Sequence, residues 1–401
     1  MGELEMQDVY IVAANRTAFG KMGGVLREVR PDALACAVLQ DILPRGGVAA
    51  EQVDEVILGQ TRQSAEAANI ARYAALLAGY PERVPAYTVM QQCSSAMQAI
   101  QNAANEIALG QAGVIAAGGV ESMSMAPFYL KGGRYGLGVG NRIFADPVTE
   151  GSVNSQPVPI YGAFGTGDTA ENVAEQYGIS REDQDAFAFQ SQSRYQAALE
   201  AGKFQAEIVA VPVPQKKGEP VLFDRDESPR LTPLEKLAQL KPVFREGGTV
   251  TAANSCPRSD GAAAVLLAGE KAVKELGLTP MGRIVGQASA GVDPRIMGIG
   301  PIPAAGLALK RTGLSMEDMG LVELNEAFAA QSLACIRELG MDPRRVNVNG
   351  GAIAIGHPNG ATGARLVGTL LYEMARRGVR YGLATLCVGG GMGSAVIVER
   401  V

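Results

Sequence analysis

The sequence predicts an α/β protein made of two fused, similar halves, the first of which carries a long insertion. Three observations predict this fold. Short apolar runs alternate with Ala-rich helical segments, two distant segments match each other, and the last strand of the first half comes late in the chain. Apolar runs separated by helices are typical of parallel strands whose two faces are covered.

The first part of the chain contains four predicted strands and three predicted helices. The strands are DVYIVAA, VDEVILGQ, AYTVMQQC and GVIAAGG, which begin at residues 8, 53, 86 and 113. The Ala-rich stretches 31–43, 65–78 and 94–109 lie between them and are predicted helices.

The last part repeats this scheme. The predicted strands are GRIVGQASAG, MGLVELNEAF, VNVNGGAIAI, GLATLCVGG and SAVIVERV, which begin at residues 282, 319, 346, 382 and 394. Helices are predicted over 301–312, 326–339 and 361–378.

An internal repeat sets the expected domain organisation. The segment GVIAAGGVESM from Gly113 matches GLATLCVGGGM from Gly382. In the second copy one short turn leads to the final strand, whereas in the first copy the equivalent strand, GAAAVLLAGE, begins only at residue 261. We therefore expect an N-terminal half over 1–120 plus 250–275, an inserted loop domain over 121–249 with a helix near 180–201, and a C-terminal half over 276–401.

Composition and charge exclude several classes of protein. A hydrophobic content of 47% with 19% charged residues indicates a globular protein with a large core. The net charge of −5 gives no basic patch for nucleic acid. Every apolar run is shorter than the roughly 18 residues that span a membrane. The start, MGELEMQDVYIVAANRT, lacks the basic and apolar segments of a secretory signal, so we expect a cytoplasmic protein.

The five cysteines do not form a disulfide or zinc pattern. Cys36, Cys93, Cys256, Cys335 and Cys387 are odd in number and widely spaced, without a C-x-x-C pair, so we expect no metal site. Cys36 and Cys335 fall inside helical patterns and suit packing, whereas Cys256 is ambiguous. Cys93 and Cys387 are either small buried hydrophobes or reactive thiols.

Three residues stand at the expected ends of strands. Cys93 precedes the predicted helix SSAMQAIQNAANEIALG, and a helix N-terminus favours a thiolate. His357, the only histidine, lies in the glycine-rich turn GAIAIGHPNGATGAR, where Pro358 favours an extended conformation. Cys387 precedes a run of three glycines, whose N–H groups can bind an anion. Ligands of open α/β sheets bind beyond the carboxyl ends of strands, so we expect these residues to converge on one crevice.

The motifs of the whole chain resemble those of the thiolase family, which contains acetyl-CoA acetyltransferases and 3-ketoacyl-CoA thiolases. They are, in order, CSSAMQA, GGVESMSMAP, GDTAENVA, LNEAFAA, NVNGGAIAIGHPNGATGAR and CVGGGMG. The resemblance implies a layered αβαβα fold of two βαβαβαββ halves, with the inserted loop domain binding coenzyme A. It also implies acyl transfer by reversible Claisen condensation, with CoA and acyl-CoA as substrates and no prosthetic group.

The resemblance implies a role for five residues. Cys93 takes the acyl group as a thioester, and His357 draws the proton from its thiol. Cys387 is the acid and base at the α-carbon of the second acetyl unit. Asn325, through a water, helps His357 form one oxyanion hole, and the backbone N–H groups of Cys93 and Gly389 form the other.

The resemblance also implies contacts with the coenzyme. Arg230 is the candidate for a phosphate, although a solvated charged loop explains it as well. Four residues lie where relatives contact CoA and are equally explicable by packing: Phe244, Ser255, Ala327 and Phe328. Gly165 and Thr166 replace a His-Met pair, and Cys256 replaces a serine. These departures leave the pantetheine contacts and the preferred chain length open.

Several alternatives remain open at this point. The direction can be biosynthetic or degradative. A β-ketoacyl-acyl-carrier-protein synthase is a second enzymatic interpretation, although the single histidine excludes a Cys-His-His set. A non-catalytic acyl-CoA-binding protein is a third. The segment GGRYGLGVGNRIF resembles the loop through which tetrameric relatives assemble, so we expect a homodimer or a homotetramer.

Overall fold

Residues 6–401, which the computed structural model describes, form fifteen strands and thirteen α-helices. The strands are β1 Val9–Thr17, β2 Gly20–Lys21, β3 Glu55–Gly59, β4 Ala86–Val89, β5 Val114–Ser122, β6 Tyr129–Leu130, β7 Phe144–Ala145, β8 Ile208–Val209, β9 Val211–Val213, β10 Val221–Phe223, β11 Ser259–Gly269, β12 Gly282–Gly291, β13 Met319–Leu324, β14 Tyr381–Val388 and β15 Met392–Glu399. The helices are α1 Pro31–Gly46, α2 Ile70–Leu77, α3 Ser95–Ala108, α4 Pro147–Val153, α5 Val158–Tyr161, α6 Thr166–Gln176, α7 Arg181–Glu200, α8 Leu234–Leu237, α9 Glu270–Leu276, α10 Pro301–Thr312, α11 Ala329–Glu338, α12 Ala352–Ile355 and α13 Thr362–Arg377.

The two halves share one continuous sheet. Its main strand order is β4-β3-β5-β11-β1-β12-β15-β14-β13, so the first half occupies one end and the second half the other. The halves join where β1 pairs with β12, at Tyr10 with Arg283 and Ile11 with Gly282. The first half contributes five strands of this path and the second half four, because the segment that would match β4 makes only the isolated bridge of Val346 to Val322 in β13.

The prediction of parallel strands is correct for only part of this main path. β3 is parallel to β4 and β5, and β13 is parallel to β14. β11 and β15 instead run antiparallel to β5 and β14. The turn between β14 and β15 is tight, and a tight turn can only reverse the chain direction.

The two parts of the sheet lie on either side of a central pair of helices, so the fold has five layers, αβαβα. Apolar residues of α1 and α2 pack on one face of β1, β3, β5 and β11. Between the halves lie α3 and α13, whose buried residues share one core with strands of both halves. On the outer face of the second half, α10 and α11 pack against β12, β13, β14 and β15. The central helices α3 and α13 therefore carry their N-termini to the place where the two halves meet.

One predicted strand is wrong. The segment 346–355 is not a strand, because only Val346 makes an isolated bridge, to Val322, and its last four residues form α12. Two left-handed residues explain the difference, since Asn347 has φ 46° and Gly350 has φ 82°. An extended strand does not accommodate such residues, although the apolar pattern alone resembles a strand.

The other predicted elements agree with the structure within a few residues. α10 has the predicted bounds 301–312, and α7 occupies the predicted helix near 180–201. The insertion is not purely loop, because it contains α4 to α8, and β8 pairs with β1 in the main sheet. Its treatment as a separate domain stays a prediction.

Two further observations concern the described residues as a whole. Within residues 6–401, no helix is long and apolar enough to cross a membrane. In the same range no group of three or more His, Cys, Asp and Glu side chains is placed to hold a metal ion. The segment that was compared with a secretory signal includes residues 1–5, and these lie outside the residues that the structure describes.

Candidate active site

Cys93 lies in a strained turn between β4 and α3. Gln92, directly before it, has φ 49°, which is unusual for a residue with a side chain. The Ser95 hydroxyl fixes the turn by donating to the Gln92 carbonyl at 2.7 Å and accepting from the Gln91 N–H at 2.9 Å. Gly59 of β3 lets the start of α3 approach closely, because a Cβ there would overlap the backbone of Ser95. The turn thus holds the half-buried Cys93 thiol at a helix N-terminus.

Opposing effects act on the Cys93 thiol. Burial raises its pKa above the ordinary value, while the Gly389 N–H, the charge of Arg62 and the residue's own N–H lower it. Burial is the largest of these, so the resting group is a thiol rather than a thiolate. The two N–H groups nevertheless face the sulfur, where they can stabilise a negative charge.

His357 is buried between α12 and α13. Gly356, with φ 112°, ends α12 and turns the chain so that the imidazole faces inward. The Nδ1 atom lies 2.7 Å from the Thr362 hydroxyl oxygen, whose own hydrogen points to the Pro358 carbonyl at 3.1 Å. Nδ1 therefore carries the imidazole hydrogen and donates to Thr362. Nε2 is therefore the unprotonated ring nitrogen, and it faces the amide N–H of Asn325.

The environment of His357 keeps the imidazole neutral. Burial, and secondarily the charge of Arg365, lower its pKa to about 3. The Asn325 amide nitrogen lies 3.5 Å from Nε2, and the amide oxygen of Asn325 is buried without a partner within residues 6–401. A neutral imidazole with an unprotonated Nε2 is a competent general base.

Cys387 is buried at the end of β14, before the Gly389–Gly391 turn. Gly390 and Gly391 have φ 88° and 86°, which frees the backbone for a tight turn into β15. Burial raises the pKa of the Cys387 thiol well above its ordinary value, and the neighbouring sulfurs of Cys93, Cys335 and Cys256 add to this effect. This thiol therefore holds its proton at neutral pH.

One cavity brings most of these groups together. Cys93, His357 and Gly389 line it. Cys387 packs directly behind the wall, in a cluster with Ala327 and Phe328, which also line the cavity. Asn325 lies behind His357, within reach of its Nε2. The arrangement can support attack by a thiol, proton transfer to an imidazole and stabilisation of an oxyanion.

The predicted coenzyme contacts occupy two adjoining cavities. Phe244, Ser255, Ala327 and Phe328 line the cavity of Cys93, whereas Arg230 lines a second one. Ser255 and Pro257 line both, so the cavities meet there. The rings of Phe244 and Phe328 lie 6.0 Å apart, edge to face. The Arg230 cavity and the Cys93 cavity are therefore neighbours along Ser255 and Pro257.

The residues at which the motifs depart from the family pattern also lie here. Thr166 and Cys256 line the cavity of Cys93. Gly165 is the N-cap of α6, and its N–H donates to Asp168 at 2.8 Å. Burial raises the pKa of the Cys256 thiol. Any ligand in this cavity therefore meets the Thr166 side of the wall and a second thiol besides that of Cys93.

The family is decided by comparison with known proteins. The model of the thiolase N-terminal domain matches residues 9–271, and that of the thiolase C-terminal domain matches residues 278–400. The chain belongs to the thiolase family. It is an acyltransferase whose chemistry is reversible thiolytic Claisen condensation.

Relatives of this thiolase are similar over their whole length. An acetyl-CoA acetyltransferase of Pseudomonas aeruginosa is 51% identical, covering 98% of this chain and 100% of the relative. A beta-ketoadipyl-CoA thiolase of Acinetobacter baylyi is 47% identical, covering 99% and 100%. The crystal structure of the Bacillus anthracis acetyl-CoA acetyltransferase has a TM-score of 0.96 at 47% identity and full coverage of both chains. Human mitochondrial 3-ketoacyl-CoA thiolase in complex with CoA has a TM-score of 0.93 at 42% identity, covering 99% of each chain.

Two groups at this thiolase site were missed by sequence analysis. Thr362 sets the hydrogen position on His357, and Arg62 lies in the cavity wall near Cys93. The ATGAR motif contains Thr362, but nothing in a motif indicates that its hydroxyl faces the imidazole. Arg62 follows β3 by three residues, at the carboxyl end of a strand, and that position was its only signal.

Proposed function

We propose that this thiolase cleaves or forms a 3-ketoacyl-CoA with Cys93 as the nucleophile. In cleavage, the Cys93 sulfur attacks the 3-keto carbon while His357 Nε2 takes the thiol proton. The raised pKa of Cys93 and the lowered pKa of His357 support this order of events, because a preformed thiolate–imidazolium pair is disfavoured. Proton transfer and attack then occur together.

Two sets of hydrogen-bond donors stabilise the charge that develops on oxygen. Asn325 and protonated His357, which lie 3.5 Å apart, form one set. The N–H groups of Cys93 and Gly389, which lower the pKa of the Cys93 thiol, form the other. Each donor of such a hole contributes about 2.7–4 kcal/mol to a transition state in known enzymes.

Cys387 handles the proton at the α-carbon. Because its pKa lies well above the ordinary value, it holds a proton and gives it to the carbanion of the departing acetyl-CoA. In the reverse direction Cys387 first gives its proton to the CoA thiolate that leaves when Cys93 is acylated, and the Cys387 thiolate so formed then removes the α-proton of acetyl-CoA. Two thiols of one site thus take different roles because their surroundings differ.

Coenzyme A extends along the two adjoining cavities in this proposal. Arg230 meets a phosphate, and Phe244, Ser255, Ala327 and Phe328 contact the pantetheine arm. The observation that carries the whole proposal is that Cys93, His357 and Gly389 share one cavity, which meets the Arg230 cavity at Ser255. That geometry delivers a thioester to a thiol beside a base.

A thiolysis assay tests this function. Loss of acetoacetyl-CoA, or of longer 3-ketoacyl-CoA, on addition of CoA is expected, and no loss for any length would favour a non-catalytic acyl-CoA-binding protein. A ladder of chain lengths also determines whether the enzyme is degradative or prefers acetoacetyl-CoA.

Two cysteine variants test the division of roles. Cys93→Ser should abolish isotope exchange between CoA and acetyl-CoA, because exchange needs only the thioester on Cys93. Cys387→Ser should spare much of this exchange while it stops thiolysis. Equal loss of exchange in both variants would overturn the assignment.

We further propose a cytoplasmic homotetramer that acts in fatty acid metabolism. An exposed loop supports assembly, because Tyr135, Val139 and Ile143 are almost wholly exposed, at 93%, 102% and 84%. Apolar side chains that cluster on a surface loop typically mark a protein contact. A single monomeric species by light scattering would refute this part of the proposal.

A further inference from the structure

The turn that carries His357 belongs to the second half, but it lies directly on a strand of the first half. A Cβ at Gly119 of β5 would overlap the carbonyl oxygen of Gly360, and a Cβ at Gly360 would overlap the carbonyl oxygen of Val120. Gly360 follows His357 by three positions, the difference 360 − 357. The backbone of the His357 turn therefore meets the end of β5 with no side chain between them.

Glu121, near the end of β5, holds this contact together. Its side chain is wholly buried. One carboxylate oxygen accepts from the backbone N–H of Gly360 at 2.9 Å, from the backbone N–H of Thr61 at 3.1 Å and from the Thr61 hydroxyl. The other oxygen accepts from the backbone N–H of Arg62 at 2.9 Å. One side chain thus joins the His357 turn to the loop that follows β3.

The loop that follows β3 is also connected to the nucleophile. The backbone N–H of Gln60 donates to the carbonyl of Val89 at 3.0 Å. Val89 ends β4 and precedes Cys93 by four positions, the difference 93 − 89. A path of backbone and hydrogen bonds therefore runs from the strand before Cys93, through this loop and Glu121, to the turn that carries His357.

The groups around Glu121 require a carboxylate rather than an amide. An ionised carboxylate only accepts hydrogen bonds, at about four lone-pair positions, whereas a glutamine amide accepts on one atom and donates on the other. The groups that bond to Glu121 are three backbone N–H groups and a hydroxyl, and all of them donate. A glutamine would fit the same space but would turn its NH2 group toward at least one N–H. The connection between the two turns would then loosen.

We propose that Glu121 is a positioning residue, which holds the His357 turn at the distance from the Cys93 turn that proton transfer requires. The proposal rests on the proposed function, in which Nε2 of His357 takes the thiol proton. Such a transfer needs heavy atoms about 2.6–3.2 Å apart, and a displacement of about 1 Å can cost a hundredfold in rate. Glu121 does not line the reaction cavity, so it acts on the chemistry only through the groups that it holds.

Glu121→Gln tests the proposal, because it keeps the shape of the side chain. At a temperature where the variant is fully folded, kcat for acetoacetyl-CoA thiolysis should fall by about tenfold to a hundredfold. The dissociation constant of CoA, measured by calorimetry, should not change, because the Arg230 cavity is lined by none of the groups that bond to Glu121. An unchanged kcat overturns the proposal and leaves the proposed function intact.

Glu373→Gln is the matched control for the loss of a buried carboxylate. Glu373 lies on α13, the helix that follows the His357 turn, and accepts from the Asn349 amide at 3.0 Å and from Arg376 at 2.7 Å. This variant should lower the free energy of unfolding and leave kcat unchanged. An equal loss of kcat in Glu373→Gln and Glu121→Gln would contradict a specific role of Glu121.

A double-mutant cycle with His357 separates positioning from a general loss of structure. The measured rate is the alkylation of Cys93 by iodoacetamide at neutral pH, followed by the mass of the peptide that contains Cys93. Glu121→Gln should slow this reaction in the presence of His357. It should cause no further slowing in His357→Gln, because the base that Glu121 positions is then absent. Equal slowing in both backgrounds would mean that Glu121 does not act through His357, which overturns the proposal.

Thr61 supplies a milder test, should Glu121→Gln fail to fold. Thr61→Val removes one donor from the carboxylate but keeps the branched side chain, so kcat should fall by a smaller factor than in Glu121→Gln. Thr61→Ser keeps the hydroxyl and should recover most of that loss. A wild-type kcat in Thr61→Val counts against the proposal alone. If the wild type itself cleaves no 3-ketoacyl-CoA, the proposed function fails first and the role of Glu121 with it.

Discussion

Replacing Thr362 by valine should disarm His357 without changing the shape of the site. Thr362 is the first residue of α13 and is wholly buried. Its hydroxyl oxygen accepts the Nδ1 hydrogen of His357 at 2.7 Å, while its own hydrogen goes to Pro358. Valine keeps the branched side chain but removes that acceptor. The Nδ1 hydrogen would then be buried without a partner.

The size of the effect follows from the cost of that unpaired donor. A buried N–H without an acceptor costs about 1–3 kcal/mol. The imidazole avoids this cost by moving its hydrogen to Nε2, which removes the lone pair that accepts the Cys93 proton. The competent tautomer is then depleted by a factor of about 5 to 150, since 1.36 kcal/mol corresponds to tenfold. We expect kcat/KM for acetoacetyl-CoA thiolysis to fall by the same factor.

The single histidine allows the cause to be measured directly. In untagged protein labelled with ¹⁵N-histidine, the two nitrogen shifts report which atom of His357 carries the hydrogen. The hydrogen should lie on Nδ1 in the wild type and shift toward Nε2 in Thr362→Val. Thr362→Ser keeps the hydroxyl and should stay within about threefold of wild-type activity. Full activity in Thr362→Val, or a loss of activity without a change of tautomer, would refute the reasoning.

Three other perturbations have definite expected outcomes. Titration of His357 by NMR should show a neutral ring down to pH 5, since its pKa is lowered to about 3, and a midpoint near 6.5 would contradict this. The unfolded state binds a proton on this ring below about pH 6.5, whereas the folded state does not. The free energy of unfolding, measured with urea, should therefore fall by about 2 kcal/mol more between pH 7 and pH 5 in the wild type than in His357→Gln. Gly59→Ala should destabilise the fold by about 1–3 kcal/mol and slow alkylation of Cys93, because the new Cβ overlaps the start of α3. Gly306→Ala is the control, because Gly306 is an exposed and uncrowded position of α10, and it should stabilise the fold by about 0.5–1 kcal/mol. Equal changes in the melting temperature of the two variants would be evidence against the clash at Gly59. Arg230→Met should raise the KM for CoA by about two- to fivefold at low salt with kcat unchanged, whereas Arg225→Met should not, and the difference should shrink as salt is added.

The layered fold can be predicted from the sequence because the apolar pattern of each core element lies within one short stretch of the chain. Alternation of apolar runs with Ala-rich segments places most elements within a few residues, and the match of Gly113 with Gly382 predicts two equivalent halves. What fails is the direction of pairing, since β11 and β15 are antiparallel to their neighbours. Hydrophobic periodicity indicates which faces are buried, but it does not indicate which way a neighbouring strand runs.

The candidate site is predictable where a residue is rare and unpredictable where its partner is common. His357 and Cys93 are conspicuous as a sole histidine and as a thiol before a helix. Thr362 is one of many hydroxyl residues, and Arg62 one of many arginines. Their roles depend on long-range packing, such as the contact of Arg62 with Gly151, which lies 89 positions away by the difference 151 − 62. A sequence pattern contains no information about such a contact.

The two halves are similar, yet of the matched positions Gly118 and Cys387 only the second carries a thiol. β5 and β14 occupy equivalent places, each parallel to one neighbour and antiparallel to the next, and Cys387 matches Gly118 in the sequence alignment. A Cβ at Gly118 would overlap the carbonyl of Ala263 on β11, and one at Gly119 would overlap the carbonyl of Gly360. The first half therefore needs glycine at both positions, at Gly118 because β11 lies too close for a side chain and at Gly119 because the turn that carries His357 packs against β5. The matching positions of β14 carry the side chains of Cys387 and Val388, so the thiol stands on the strand that has room for a side chain.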